Sequence, residues 1–156
     1  MNGQELDKFI QLYRSTVYRL AYSYMKNRED AEDISQDAFV KLYISDENFA
    51  SEENVKAWLI RVTINLCKNM LRSSQRKTRS ELTAEPHSPP PEHDSMSEYI
   101  AGLKPQYSAV LYLFYYEGYS VKEISRMCGI SSVAVRTRLS RGRTMLKEML
   151  LKEELL

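Results

Sequence analysis

Residues 120–139 read SVKEISRMCGISSVAVRTRL, and this stretch predicts two helices joined by a tight turn. Ser120 and Glu123 form a capping box, in which the serine hydroxyl accepts a hydrogen bond from the Glu123 amide and the carboxylate accepts one from the Ser120 amide. Gly129 ends the first helix, because glycine adopts the left-handed backbone of such a turn without steric cost. The spacing is that of a helix-turn-helix.

The second helix of this pair begins at a serine cap, Ser131 or Ser132, and is strongly basic. Val135 and Leu139 mark its inward face, and the sequence from 124 to 147 contains no Asp or Glu. The side chains around the rest of its surface are polar or cationic: Arg136, Thr137, Arg138, Ser140 and Arg141. Such a helix fits the major groove of B-DNA, where Arg pairs with guanine and Ser or Thr contacts phosphates or base edges. A solvated basic face is the alternative interpretation.

The chain has 156 residues, 43% of them hydrophobic and 28% charged, with a formal net charge of +1. No apolar run is long enough to cross a bilayer, and the N-terminus lacks a secretion signal, so we expect no membrane insertion and a cytoplasmic protein. Cys67 and Cys128 stand far apart without metal-ligand spacing. We therefore expect two buried thiols, no metal site and no cofactor.

The segment SELTAEPHSPPPEHDS (80–95) has three consecutive prolines and no helical or strand periodicity, which predicts an extended linker. Elsewhere apolar residues recur at spacings of three and four, so the fold class is all-α. We expect two small helical domains, 1–79 and 96–156, the second containing the helix-turn-helix. The predicted helices lie near 4–25, 29–44, 53–74, 96–102, 105–117, 121–128 and 132–151.

An acidic helix in the first domain has two distinct faces. Ile34, Ala38 and Leu42 are expected to pack inward. Polar groups beside an apolar edge share another face: Asp33, Gln36, Asp37 and Val40. This pattern indicates a docking site for a basic protein partner, with a solvated face as the alternative.

The next helix combines an apolar stripe with a basic row. The stripe is formed by Val55, Leu59, Val62 and Leu66, and the row by Trp58, Arg61, Asn65, Lys68 and Arg72. An aromatic ring can stack on a base, an amide can bond base edges and cations can follow phosphates, so the row suits a DNA strand that is being opened. A core position for Trp58 is an equally good interpretation.

Three stretches, taken together, resemble the extracytoplasmic-function sigma factors of bacterial RNA polymerase. They are NREDAEDISQDAFVKLY (27–43), AWLIRVTINLCKNMLRSSQRK (57–77) and SVKEISRMCGISSVAVRTRLSRGRTMLKEML (120–150). The resemblance implies a two-domain helical protein, not an enzyme, that binds polymerase core and recognises promoter DNA at two elements. It also implies contacts with the clamp helices of the largest subunit and with the flap region, an anti-sigma factor as partner, and no small-molecule substrate.

The resemblance assigns three groups of residues. Those matching the polymerase-docking surface are Asp33, Gln36, Asp37 and Val40. Those matching the minus-ten region are Phe49, Trp58, Arg61, Asn65, Lys68, Asn69 and Arg72. Those matching the minus-thirty-five region are Ser132, Arg136, Thr137, Arg138, Ser140, Arg141 and Arg143, of which Arg143 turns towards the inner side of its helix and is expected to reach a phosphate.

The chain departs from the family pattern at two places. Val133 stands where glycine is usual and Ala134 where threonine is frequent, and the loop 44–56 is acidic for a surface near DNA. Among other classes, a recombinase or nuclease would need a nucleophile or clustered carboxylates at metal-ligand spacing, which the sequence does not offer. A helix-turn-helix regulator that binds duplex DNA without polymerase core remains the alternative function.

Overall fold

The computed structural model describes residues 1–76 and 95–154, and in these ranges the only regular elements are helices. Seven occur: α1 (Gly3–Met25), α2 (Arg28–Ile44), α3 (Glu52–Arg76), α4 (Ser95–Ala101), α5 (Pro105–Tyr115), α6 (Val121–Cys128) and α7 (Ser132–Glu154). The all-α fold class is confirmed. Contacts divide the chain into two compact units, Met1–Ser88 and Pro89–Leu156. The predicted linker 80–95 lies outside the described residues except for Ser95, which begins α4.

Helix boundaries agree with the prediction to within three residues. The largest difference is at the end of α7, which continues to Glu154 rather than ending at 151, and α5 ends at Tyr115 rather than at 117. Gly118 adopts the left-handed conformation, with φ +72°. It does so after the helix has ended, and the Tyr119 amide then donates to the Leu113 carbonyl at 3.1 Å. Gly118 therefore turns the chain towards α6 without capping α5 directly.

The N-terminal unit is a three-helix assembly in which α1 packs on α2 and α3. Asn2 and Asn27 cap the first two helices, and each side-chain oxygen accepts a hydrogen bond at 2.8 Å from the amide three residues on. The predicted inward positions of α2, Ile34, Ala38 and Leu42, are all buried.

The inward face of α3 is wider than the predicted stripe. Val55 and Leu59 are buried as expected, but Val62 and Leu66 are only partly buried. The remaining fully buried positions are Ile60, Thr63, Ile64 and Cys67. All four stripe residues belong to the core cluster or pack against it, and the buried face is wider than the stripe because α3 lies against both α1 and α2, so two adjoining strips of its surface are covered. The Thr63 hydroxyl is accommodated by donating to the Leu59 carbonyl at 2.6 Å.

Lys26 joins α1 to α2 in an unusual conformation. It has φ +63°, the one positive value among non-glycine residues in the described ranges, and its amide donates to the Tyr22 carbonyl at 2.9 Å. A left-handed residue is a common helix end, but a side chain with a Cβ is strained there. Burial lowers the pKa of the Lys26 amine to about 7.

The C-terminal unit contains the helix-turn-helix formed by α6 and α7. The predicted capping box is present, with Glu123 N to Ser120 Oγ at 3.1 Å and Ser120 N to Glu123 Oε1 at 3.0 Å. Gly129 has φ +67°, as the turn requires. The Ser125 hydroxyl donates to the Ile130 carbonyl and ties the turn to α6. Both cysteines are buried and neither forms a disulfide, as expected.

Helix α7 packs on α5 through an unusually close contact. A Cβ at Gly142 would lie 2.8 Å from Leu111 Cδ1 and 3.3 Å from Leu111 Cγ. Leu111 is itself fully buried. Since the core leaves the leucine little room to move, glycine at this position sets the separation of the two helices.

We predict that Lys26→Asn stabilises the N-terminal unit and flattens its pH dependence. Asparagine tolerates the left-handed conformation, so relief of strain contributes about 1 kcal/mol. In the wild type, the unfolded chain retains above pH 7 a proton that folded Lys26 has released, so the free energy of unfolding rises with pH from about 7. Urea unfolding between pH 6 and 9, followed by the single tryptophan, Trp58, measures both effects. Lys41→Asn on α2 is the control, and an unchanged pH slope in Lys26→Asn would contradict the assignment.

We predict that Gly142→Ala destabilises the C-terminal unit by about 1–3 kcal/mol, because overpacking against Leu111 outweighs the gain of about 1 kcal/mol in helix propensity. Thermal melting followed by circular dichroism measures this change. Gly102→Ala is the matched control, since its Cβ would meet nothing closer than 3.4 Å. Adding Leu111→Val to Gly142→Ala should recover part of the loss, and a more stable single variant would show that the contact yields.

Candidate nucleic-acid interface

Helix α7 exposes its basic residues as the sequence predicts, and its opposite side is buried in the C-terminal unit. Val135 and Leu139 are buried in the unit, with exposed fractions of 0% and 2%. The Ser131 hydroxyl accepts from the Ala134 amide at 3.0 Å, which makes Ser131 the cap and Ser132 the first helical residue. The exposed members of the predicted set are Arg136, Ser140, Arg141 and Arg143, and the half-buried ones are Ser132, Thr137 and Arg138.

Arg143 has a partner that sequence reasoning missed. Its Nη1 donates to the hydroxyl of Tyr115 on α5 at 3.0 Å, and the Tyr115 side chain is 52% exposed. The contact joins residues 28 positions apart. The only signal in the sequence is the tyrosine-rich end of α5, which does not reveal which ring faces α7.

Two further cations on the first helix of the pair were not singled out from the sequence. Lys122 and Arg126 lie on the exposed side of α6. In helix-turn-helix proteins, the first helix crosses the DNA backbone while the second enters the major groove. The basic surface therefore extends over both helices.

The other end of α7 borders an apolar groove. The groove has a volume of about 500 Å³ and lies between α4, α5 and α7. Its walls are mainly apolar and aromatic, with two cationic side chains: Met96, Ile100, Tyr115, Leu146, Leu150, Arg143 and Lys147. Helix α7 thus carries the candidate DNA-binding residues in its first half and lines the apolar groove with its second half.

In the N-terminal unit, α3 displays the predicted polar row. Arg61, Asn65, Asn69 and Arg72 are exposed and Lys68 is half-buried. The Arg72 Nη2 donates to the Asn69 Oδ1 at 2.6 Å. This bond holds the guanidinium and the amide together, so a single strand would meet them as one polar group.

Trp58 and Phe49 form an aromatic pair at the start of this row. Their ring centroids lie 5.8 Å apart at an interplanar angle of 78°, an edge-to-face arrangement. Both side chains are half-buried and pack against the core cluster that includes Val55 and Leu59. Trp58 is therefore both a core residue and a surface residue. One part of its side chain packs against the core, and the other part is exposed.

The predicted docking face of α2 is exposed. Asp33, Gln36 and Asp37 are exposed, and Val40 is 58% exposed. Tyr43 and Ile44, which sequence reasoning did not include, are also exposed and extend the apolar edge towards the end of the helix. Acidic groups beside uncovered apolar side chains suit a protein partner with complementary charge.

In the described ranges, three features concern metal binding, thiol reactivity and helix length. Residues 1–76 and 95–154 contain no group of three His, Cys, Asp or Glu side chains able to hold a metal ion. Burial raises the pKa of the Cys67 thiol to about 12, so the thiolate needed for nucleophilic attack does not form near neutral pH. No helix in those ranges is long and apolar enough to span a bilayer.

Comparison with known families matches both units. Sigma-70 region 2 matches residues 9–77, and Sigma-70 region 4 matches residues 93–146. The first match includes the polar row of α3, and the second includes the helix-turn-helix.

Individual relatives are similar along most of this chain. The ECF RNA polymerase sigma factor SigE of Mycolicibacterium smegmatis is 33% identical, over 94% of this chain and 62% of its own length. The RNA polymerase sigma factor SigV of Bacillus subtilis is 28% identical, over 92% of this chain and 89% of its own length. The chain thus spans less than two thirds of the first relative and most of the second.

A solved structure shares the fold. The sigma factor RpoE of Bartonella quintana, in complex with the anti-sigma factor NepR, superposes with a TM-score of 0.77 at 21% identity. The match covers 94% of this chain and 97% of that one.

We predict that Trp58→Ala lowers the free energy of unfolding of the N-terminal unit by about 1–3 kcal/mol, below the ~3–5 kcal/mol of a fully buried aromatic. Trp58→Phe keeps a ring against Phe49 and should cost less than about 1.5 kcal/mol. Urea unfolding followed by circular dichroism gives the values, with exposed Tyr43→Ala as the control. A Trp58→Ala variant as stable as the wild type would mean that the ring belongs to the surface alone.

Proposed function

Because the chain belongs to the extracytoplasmic-function sigma factors of bacterial RNA polymerase, within the sigma-70 family, we propose that it binds polymerase core and directs initiation at specific promoters. The observation that carries this proposal is the presence, in one chain, of both sigma-70 regions with their separate surfaces. The protein acts as an initiation factor rather than an enzyme, and works in the cytoplasm, where the polymerase transcribes.

Helix α7 reads the upstream, minus-thirty-five element. Exposed Arg136 and Arg141 point away from the buried side of the helix and can hold guanine through two hydrogen bonds. Ser132, Thr137, Arg138 and Ser140 surround them and contact base edges or phosphates.

Helix α3 acts on the minus-ten element as its strands separate. Trp58 and Phe49 present ring surface at the head of the row, and Arg61, Asn65, Lys68, Asn69 and Arg72 continue it along the helix. An edge-to-face pair leaves one aromatic face to stack with a base once the duplex opens. The connection before α3 covers only residues 45–51, because Ile44 ends α2 and Glu52 begins α3, so the strand contacts proposed here rest on Phe49 and the row of α3.

The exposed face of α2 docks on polymerase core. Asp33, Gln36 and Asp37 supply charge and hydrogen-bond acceptors for the clamp helices of the largest subunit, and Val40 supplies apolar contact. The C-terminal unit meets the flap region of the core. An anti-sigma factor is the further partner, by analogy with the sigma factor solved in complex with NepR.

A regulator that binds duplex DNA without polymerase core is the alternative. The open acidic face of α2 and the polar row of α3 both favour the initiation factor, because a regulator of that kind needs neither surface. Association with core separates the two functions.

We predict that Asp33→Arg combined with Asp37→Arg weakens binding to purified polymerase core by about tenfold or more, because like charges then meet at the interface. Transcription from genomic fragments, with mapped start sites, should fall in parallel. Duplex binding by the chain should not weaken. Glu5→Arg with Asp7→Arg makes the same charge change on α1 and is the matched control.

Two results would count against the proposal. Undiminished core affinity in the Asp33→Arg/Asp37→Arg variant would mean that α2 is not the docking face. A wild-type chain that gives no start sites with core polymerase on any fragment, yet binds duplex DNA, would favour the regulator.

A further inference from the structure

Tyr115 on α5 and Arg143 on α7 form a polar contact. None of the functional roles proposed above includes this contact. The Arg143 Nη1 donates to the phenolic oxygen at 3.0 Å, and both side chains are exposed. The ring of Tyr115 is positioned by Phe114, whose ring meets it edge to face at 5.0 Å. The hydroxyl therefore has a fixed place relative to α7.

Arg143 lies on the same ridge of α7 as residues expected to meet DNA. Arg136, Ser140, Arg143 and Lys147 recur at spacings of four, three and four, and all are exposed. The ridge runs from the proposed base-reading turn towards the end of α5. The hydrogen bond from Arg143 places Tyr115, a residue of another helix, beside this ridge.

The chemistry of the pair fits one oxyanion. A tyrosine hydroxyl has one proton and two lone pairs, and Arg143 occupies one lone pair. The phenolic O–H is then left to donate, beside the remaining N–H groups of the guanidinium. A phosphate oxygen accepts from both kinds of donor.

We infer that Tyr115 and Arg143 together form a DNA-phosphate subsite, in which Tyr115 both positions the guanidinium and donates its own hydrogen bond to the backbone. This inference rests on the proposed function, since it requires α7 to lie against duplex DNA. The subsite makes α5 a part of the DNA-binding surface, and its contribution does not depend on base sequence.

The observations favour DNA over a protein ligand for this pair. The sequence has no acidic residue from 124 to 147, so the ridge is uniformly cationic or neutral. Tyr115 and Arg143 also border the apolar groove between α4, α5 and α7, where a protein helix could bind. That binding would rely on apolar contacts, whereas the tyrosine hydroxyl and guanidinium offer donors suited to an anion.

The test uses the full chain and a fluorescein-labelled 26-base-pair duplex of random sequence, titrated over a series of NaCl concentrations. Tyr115→Phe should lower affinity about tenfold or more, as expected for one hydrogen bond to a charged acceptor. Arg143→Ala should lower affinity further and reduce the salt slope by about 0.9, the value for one phosphate contact. In the Arg143→Ala background, Tyr115→Phe should cost less than about twofold, because the two residues act as one site.

Tyr13→Phe, which removes the hydroxyl of a half-buried tyrosine in the N-terminal unit, is the matched control and should leave duplex affinity unchanged. Unchanged affinity in Tyr115→Phe, or full additivity with Arg143→Ala, would overturn the inference and leave the proposed function standing. Weaker binding to core polymerase with unchanged duplex affinity would overturn it in favour of a protein ligand in the groove. If the wild-type chain alone has no measurable duplex affinity at 50 mM NaCl, the same titrations are made with core polymerase present, and no affinity there would overturn both this inference and the DNA-binding part of the proposed function.

Discussion

The contact between Gly142 and Leu111 fixes how closely α7 approaches α5, and the C-terminal surfaces depend on that distance. Because Gly142 has no Cβ, the Leu111 side chain packs directly against α7, and one residue further along α7 the guanidinium of Arg143 reaches the Tyr115 hydroxyl. Leu146 and Leu150, further along the same helix, line the groove. The absence of a Cβ at Gly142 thus influences both the polar contact of Arg143 and the position of the α7 residues that line the apolar groove.

In the N-terminal unit, α3 carries the exposed polar row and is also the main support of the hydrophobic core. Two strips of α3 are covered by α1 and α2, which leaves a narrow exposed row for the polar side chains. Trp58 lies at the border between the covered and exposed surfaces. Its position is therefore held by packing, and the row it begins presents groups in a fixed order along one rigid element.

Local rules were enough to predict much of this structure. The capping box of Ser120 and Glu123, the turn at Gly129 and the helix boundaries all arise from interactions between residues close in sequence. The acidic face of α2 and the basic face of α7 likewise follow from helical periodicity, because an amphipathic pattern states which side is exposed.

What could not be predicted depends on contacts between distant elements. The width of the α3 core face requires knowing that two helices cover it, and the pairing of Tyr115 with Arg143 requires the rotation of α5 against α7. The strained backbone of Lys26 could not be predicted from the sequence for a related reason. Glycine or asparagine normally signals such a helix end, and lysine gives no such signal.

The continuity of α7 has a mechanical consequence. Its 23 residues rise about 34 Å, close to one turn of B-DNA, so only the leading half can lie within a single stretch of major groove. The trailing half forms a wall of the apolar groove, and α7 is one continuous helix from Ser132 to Glu154. Val135 and Leu139 hold its leading half in the core, and Leu146 holds the start of its trailing half. The spacing between the candidate DNA-binding residues and the groove is therefore set by a single helix that is buried on both sides of Gly142.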